Sequence, residues 1–315
     1  MINRTLVRTR VIQTLFAFYK DGEKSSLTAR KELLKSFSDT YSLYMLMLAF
    51  AEELIRCAEE HIEENKTRAA ITHQAYTPNR KFVNSIVAQQ LFNNARLRNY
   101  LNEQHLYWDA AHSSISAIYK QLLEAPYYTE FMALEAPTYD DDKQLWRKIF
   151  GSLLLNNLEL ETALEELEVV LDHQNWTTDI DLVLTYVVKT IKRFKADKGD
   201  DQDLLEMFDN EAELLFAKDL LRLAIEHADE YKEMVVAAAK NWEAERIAYM
   251  DHMILLAAIT EIIHFNDIAL EISMNEYIEL SKEYSSEKSY TFINGILNKV
   301  VKDLKQEGKL FKVVR

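Results

Sequence analysis

The 315-residue chain contains one cysteine, three prolines and five glycines, and each scarcity removes a class of protein. Cys57 alone closes no intramolecular disulfide and builds no thiolate metal cage, which fits a reducing compartment. Glycine and proline stand far below their usual shares of roughly 7% and 5%. Little turn chemistry is left for hairpins or phosphate-cradling loops, so the fold class reads as all-α. No apolar run nears the roughly 18 residues that span a bilayer, and the opening MINRTLVRTR has no signal-peptide core. The expected location is therefore cytoplasmic, with no membrane partner. What is abundant is apolar substance: 48% of the residues are hydrophobic, enough for real cores at this length and too much for a disordered tail.

The net charge of −14 argues against a nucleic-acid partner, because phosphate binding draws on Lys and Arg. Its distribution argues the other way. Residues 1–36 carry Arg4, Arg8, Arg10, Lys20, Lys24, Arg30, Lys31 and Lys35 against only Asp21, Glu23 and Glu32. Residues 299–315 hold six basic side chains against Asp303 and Glu307. Two basic ends thus flank an acidic middle; such ends serve solubility as readily as binding.

Apolar spacing predicts an amphipathic helix over residues 4–19, with Leu6, Val7, Val11, Leu15, Phe16 and Phe18 on the stripe and the arginines mostly beside it. A stop at 21–26 leads into a second helix from about Leu27, and further helical patterns cover 40–64, 79–102, 108–124 and 141–172. Breaks fall before Pro78, Pro126 and Pro137. The polar stretch Lys195–Asp203 reads as a linker, followed by helices over about 209–240, 243–264, 273–284 and 287–306.

Catalytic motifs are missing. A di-iron bundle needs two Glu-x-x-His motifs, and the chain has only Glu261-Ile262-Ile263-His264, which alone reads as helix surface. Asp140-Asp141-Asp142 approaches a magnesium-diphosphate turn, but Gln144 and Leu145 stand where a third carboxylate is required. Acidic residues are at home at a helix N-terminus, so the triplet reads as a cap. No Walker loop, HExxH or nucleophile elbow occurs. No enzyme, cofactor or metal site is expected. An enzyme built around Asp140–Asp142 is the weakest alternative, and a protein-only helical adaptor without RNA specificity is the runner-up.

The C-terminal hundred residues carry strings rather than mere composition. Trp242-Glu-Ala-Glu-Arg-Ile-Ala-Tyr-Met opens the series, Met274-Asn-Glu-Tyr-Ile-Glu-Leu-Ser-Lys282 continues it, and Ser289-Tyr-Thr-Phe-Ile-Asn-Gly-Ile-Leu-Asn-Lys299 closes it. These resemble the E-R-x-I-L, I-N-E-A-V-E-L-A-K and S-x-x-F-I-N-G-I-L-D-K motifs of the NusB family of transcription antitermination factors. Arg8-Thr-Arg-Val-Ile-Gln-Thr-Leu-Phe16 is similar to that family's basic first helix, which ends in Q-x-L-Y. The departures are Phe16 for tyrosine, Ala269 for proline, Ser285 for glycine and Asn298 for aspartate. The resemblance implies a NusB-like helical bundle formed by 1–45 and 209–315, with 46–208 as a large inserted helical region.

It further implies an RNA-binding antitermination factor that recognises boxA-type nascent ribosomal RNA jointly with NusE, a basic small-subunit ribosomal protein, in the RNA polymerase antitermination complex. Unpaired bases are recognised by stacking on aromatic rings while basic groups hold the backbone. Lys288, Ser289, Tyr290, Phe292 and Asn294 lie at the start of one helix, where free backbone N–H groups attract phosphate. Arg4, Arg8 and Arg10 add a cationic rail if the first helix packs beside that turn, as in the family. Phe292 shares a helical face with Ile296 and Val300 and by spacing alone is core; the family motif turns it toward RNA. Phe16 and Glu245 match positions that face NusE, and Asn275 and Glu276 read as anchors between helices.

Overall fold

The computed structural model describes residues 1–20, 22, 25–239, 248–286 and 289–312. Fourteen α-helices occur among them, and the β-structure they include is an isolated parallel bridge, Ile2 to Phe208. The chain divides into two compact units. A middle unit comprises Ser38–Met207 with Met1, and an end unit comprises Ile2–Phe37 with Phe208–Arg315.

In the end unit, α1 (Arg4–Lys20), α10 (Glu211–Glu226), α11 (Ala228–Ala238), α13 (Leu270–Tyr284) and α14 (Ser289–Gln306) all contact α12 (Tyr249–His264). The reason is in the sequence of α12. Met253 to Ile262 is apolar all round apart from Thr260 and Glu261, and every one of these residues is buried. A helix without a polar face belongs at the centre of a bundle.

α2 (Ser26–Ile71) is a single 46-residue helix, about 70 Å long at 1.5 Å per residue. The sequence predicts a helix from about Leu27 and a separate helical pattern over 40–64, whereas the polar residues Ser36, Ser38, Asp39, Thr40 and Ser42 at their junction stay within one helix. No glycine or proline breaks the run, and the polar side chains find partners that leave the helix ladder intact. Ser36 Oγ donates to Leu33 O, Thr40 Oγ1 donates to Asp179 Oδ2 at 2.6 Å, and Asp39 accepts from the backbone N–H of Gln174.

The middle unit contains the rest of α2 with α3 (Ile86–Asn93), α4 (Ala95–Gln104), α5 (His112–Glu124), α6 (Pro126–Ala133), α7 (Tyr139–Lys148), α8 (Leu158–Leu171) and α9 (Trp176–Arg193). Its core is aromatic, with Tyr44, Phe50, Phe82, Phe150, Trp146 and Trp176 fully buried. The acidic triplet is a cap, as its position suggests. Thr138 and Asp141 form a reciprocal capping box at the start of α7, while Asp142, itself buried, accepts from Ser85 Oγ and the Val87 N–H at the start of α3.

Two readings are corrected here. Lys195–Asp203 is not a linker: Gln202 bonds Lys195 and Gly199, and Asn94 donates to the carbonyls of Asp200 and Gln202. The boundary between the units falls after Met207. A further helix, α9, occupies 176–193 where no helix is predicted.

Candidate nucleic-acid and partner interface

The start of α14 is built from serines around a carboxylate. Ser289 is buried and its hydroxyl donates to Asp251 Oδ2 of α12 at 2.9 Å, while Ser285 and Ser286 bond Ser289 and Ser285 also donates to Asp251. The predicted phosphate cradle is thus already filled by a buried carboxyl group. Lys288 lies outside the described residues. Beyond the first turn, α14 presents an open face: Tyr290 is 44% exposed, with the Lys282 ammonium 5.7 Å from its ring centroid. Asn294 and Asn298 follow at i+4 and i+8, both exposed and joined by an Asn298 Nδ2 to Asn294 Oδ1 bond of 2.7 Å. Lys302 and Lys305 extend this exposed side.

Phe292 is not on that face. It is 9% exposed and points with Ile296 and Val300 into the bundle, as its i, i+4, i+8 spacing alone requires. The outward turn implied by the resemblance is corrected.

The cationic rail is corrected in the same way. Arg8 is 2% exposed and grips Glu261 with two bonds, Nε to Oε2 at 2.8 Å and Nη2 to Oε1 at 2.9 Å, while Nη1 reaches Glu276 at 3.1 Å. Ser273 and Tyr277 donate to the same Glu261 carboxylate at 2.7 and 2.9 Å. Burial opposes both charges, but the pair overrides it: Arg8 is held above its ordinary value and the Glu261 carboxyl below its own. Arg10 is equally buried, with Nη1 on Gln13 at 2.7 Å. Arg4 is one-third exposed and pairs with Glu213 at 3.1 Å and Asp267 at 3.7 Å. The groove where α1 meets α13 is lined by Thr5, Glu276, Glu279, Lys282 and Glu283, a setting that repels phosphate.

Sequence reasoning missed this network. Its signal was present: Arg8 falls on the line of Ile12 and Leu15, all buried, and Glu261 interrupts an otherwise apolar run. A charge in such a place needs a partner. The surface reading of Glu261 is overturned, since it is wholly buried. Glu276 is the anchor expected of it, accepting from Thr5 and Arg8. Lys312 joins from the C-terminal side, its Nζ bonding Ser273 Oγ at 2.6 Å and Ile268 O at 3.1 Å.

A second surface lies around Phe16. Its ring is half-buried and meets Tyr249 edge-on, 5.1 Å between centroids, with Lys20 5.3 Å away. Beside it opens a cleft of about 480 Å³ lined by Tyr19, Asp229, Tyr231, Lys232, Tyr249 and His252. Burial and the nearby Asp229 push the Tyr19 hydroxyl up to about 12; burial and Lys232 lower His252. Glu245 lies outside the described residues. Among the described residues no cluster of three or more candidate metal ligands occurs, and no helix is long and apolar enough to cross a membrane.

The family model described as NusB family matches residues 182–302. The chain is similar to proteins named "Transcription antitermination protein NusB" from several bacteria. It is 37% identical to that of Salinibacter ruber over 100 residues, covering 32% of this chain and 62% of the relative. The identity is 36% over 116 residues with that of Geobacter sulfurreducens, covering 35% and 84%, and 37% over 91 residues with that of Bacillus subtilis, covering 29% and 70%. The chain thus spans less than two thirds of the Salinibacter protein. No solved structure matches.

Proposed function

The chain belongs to the NusB family, whose members are not enzymes, and we propose that it is a transcription antitermination factor that binds boxA-type RNA together with NusE. The observation that carries the RNA part is the exposed side of α14, where Tyr290, Asn294 and Asn298 stand in line with Lys302 and Lys305 beyond them. An aromatic ring beside amide groups suits an unpaired base, and the lysines suit its backbone. This side belongs to the helix bearing the family's S-x-x-F-I-N-G-I-L motif. Lys288, which precedes that motif in the sequence, belongs to the proposal by resemblance alone, while Ser289 positions the turn through Asp251 rather than touching RNA.

The partner part rests on Phe16 and Tyr249, a half-covered aromatic pair beside an open cleft; Glu245 is the charged member of this surface by resemblance. Arg8 and Arg10 act through the fold, holding α1 in place. The test is titration of a labelled boxA-like oligonucleotide and a scrambled one, with and without NusE, at two salt concentrations. A preference for boxA that strengthens with NusE is expected. Equal affinity for both oligonucleotides would sink the reading and favour the protein-only adaptor.

A further inference from the structure

α8 lies outside residues 182–302, so nothing in the family match speaks for its surface. Its inner stripe, Leu160, Ala163, Leu164 and Leu167, is buried and suffices to pack the helix. Its outer line is nevertheless apolar at both ends. Leu158 is 75% exposed, Val169 84% and Val170 67%, and Leu155 just before the helix is 40% exposed. Leu158, Thr162, Glu165 and Val169 follow i, i+4, i+7, i+11 spacing, so the two apolar ends stand about 16 Å apart along one line. Valine is a modest helix former, so propensity does not account for the pair at 169–170. Glu159, Glu161, Glu165 and Glu166 surround the line, and among the described residues none of them has an ion-pair partner. The surrounding residues 38–207 hold 28 acidic against 16 basic side chains.

These features discriminate among occupants. A second copy of α8 laid antiparallel, seating each Leu158 on the other's Val169, sets Glu166 against Glu161; laid parallel, it sets Glu165 against Glu165. Both arrangements oppose like charges in the middle of the contact. An anionic bilayer or a nucleic acid meets the same repulsion. A basic amphipathic segment, with two apolar anchors three turns apart and Lys or Arg between them, satisfies both the exposed apolar ends and the unpaired carboxylates.

We propose that the outer face of α8 docks a basic amphipathic segment of a partner protein. The probe is a labelled synthetic helix of roughly five turns with leucines at i and i+11, lysines at i+4, i+7 and the flanking positions and alanines elsewhere, titrated against the full chain by fluorescence anisotropy. Saturable binding is expected, weakened roughly tenfold or more by Leu158→Ser with Val169→Ser, and likewise by Glu165→Lys with Glu166→Lys. A peptide with glutamate for lysine should not bind. All four positions are exposed, and circular dichroism on each variant checks the fold; Thr162→Arg on the same line is the single-site alternative. Parent-like affinity in the folded variants would mean that the peptide senses only overall charge, and the proposal fails. A dimer in sedimentation velocity that the serine variant abolishes would give the face to a second copy and equally overturn it.

Discussion

At the level of single residues, the free energy lost on mutation separates contact from support. Tyr290→Ala should weaken boxA-like RNA binding by about 1–3 kcal/mol, the worth of one base stack, and leave stability unchanged because the ring is 44% exposed. Phe292→Ala should do the reverse, costing about 3–5 kcal/mol of folding stability through lost transfer energy and a cavity. Denaturant unfolding and RNA titration on the same preparations read both quantities, and an RNA defect in a stable Phe292→Ala protein would restore that residue to the RNA face. Arg8→Met should cost about 3–5 kcal/mol by stranding the buried Glu261 carboxylate, and adding Glu261→Leu should recover much of it. The same network gives two pH signatures. Glu261 is held below its ordinary value, so its contribution is present at neutral pH and lost as pH falls below about 4.3 and through its native value. Burial lowers the Lys312 ammonium to about 8. From there up to roughly 10.4 the unfolded chain binds more protons at this site, so its contribution to stability rises with pH. Urea midpoints across that window should rise less in Lys312→Met than in the parent.

Helices rather than residues were the legible unit in the sequence, and the exceptions have physical reasons. α1 and α14 are readable because their apolar residues repeat at helical spacing over four turns or more, and α12 because its apolar run is too long for a strand. The break between α3 and α4 is not readable, since it has no glycine or proline and residues 79–102 look continuous. It is made by one asparagine. Asn94 ends α3 in an extended conformation and caps α4 by accepting from the Leu97 N–H at 3.0 Å. Its amide donates to Asp200 O and Gln202 O, both at 3.0 Å, and these long-range partners are invisible to local pattern. α9 was legible and missed: Ile180, Val183, Leu184, Val187 and Ile191 repeat at helical spacing behind Asn175, although that asparagine makes no side-chain cap and Glu168 of α8 accepts the Trp176 N–H. The site was half legible: spacing puts Phe292 in the core and Arg8 on the buried line of Ile12 and Leu15, whereas the identity of the partner, a glutamate on a helix some 250 residues away, is invisible to local pattern. Asn94→Ala should therefore lower stability by about 2–3 kcal/mol, a lost cap together with two buried carbonyls left without their donor. Asn93→Ala, exposed beside it, should stay within about 0.5 kcal/mol; equal effects of the two, measured by urea unfolding, would mean that Asn94 is replaceable by a shift of the chain.

Over the whole molecule the charge is divided unevenly, and the division predicts kinetics rather than affinity. Residues 38–207 carry 28 acidic and 16 basic side chains, so the rest of the chain, at a total of −14, is close to neutral. A long-range field of this sign accelerates the approach of a basic protein and retards that of RNA. Salt screens both effects over about 10 Å at 0.1 M, so they respond to it in opposite directions. Association of NusE, basic by family resemblance, should slow steeply as salt is raised. Association of boxA-like RNA should slow much less, because screening of the repulsion offsets the weakened pull of Lys302 and Lys305. Once RNA is bound, those local lysine–phosphate contacts govern release, and each adds roughly 0.7 to the log–log salt slope of the equilibrium constant for a single strand. Stopped-flow association at two salt concentrations, with the equilibrium titration alongside, separates the two contributions. RNA association that falls with salt as steeply as NusE association would show that the acidic middle is not sensed at the exposed side of α14 proposed to bind RNA, and that the two proposed partners approach through the same local field.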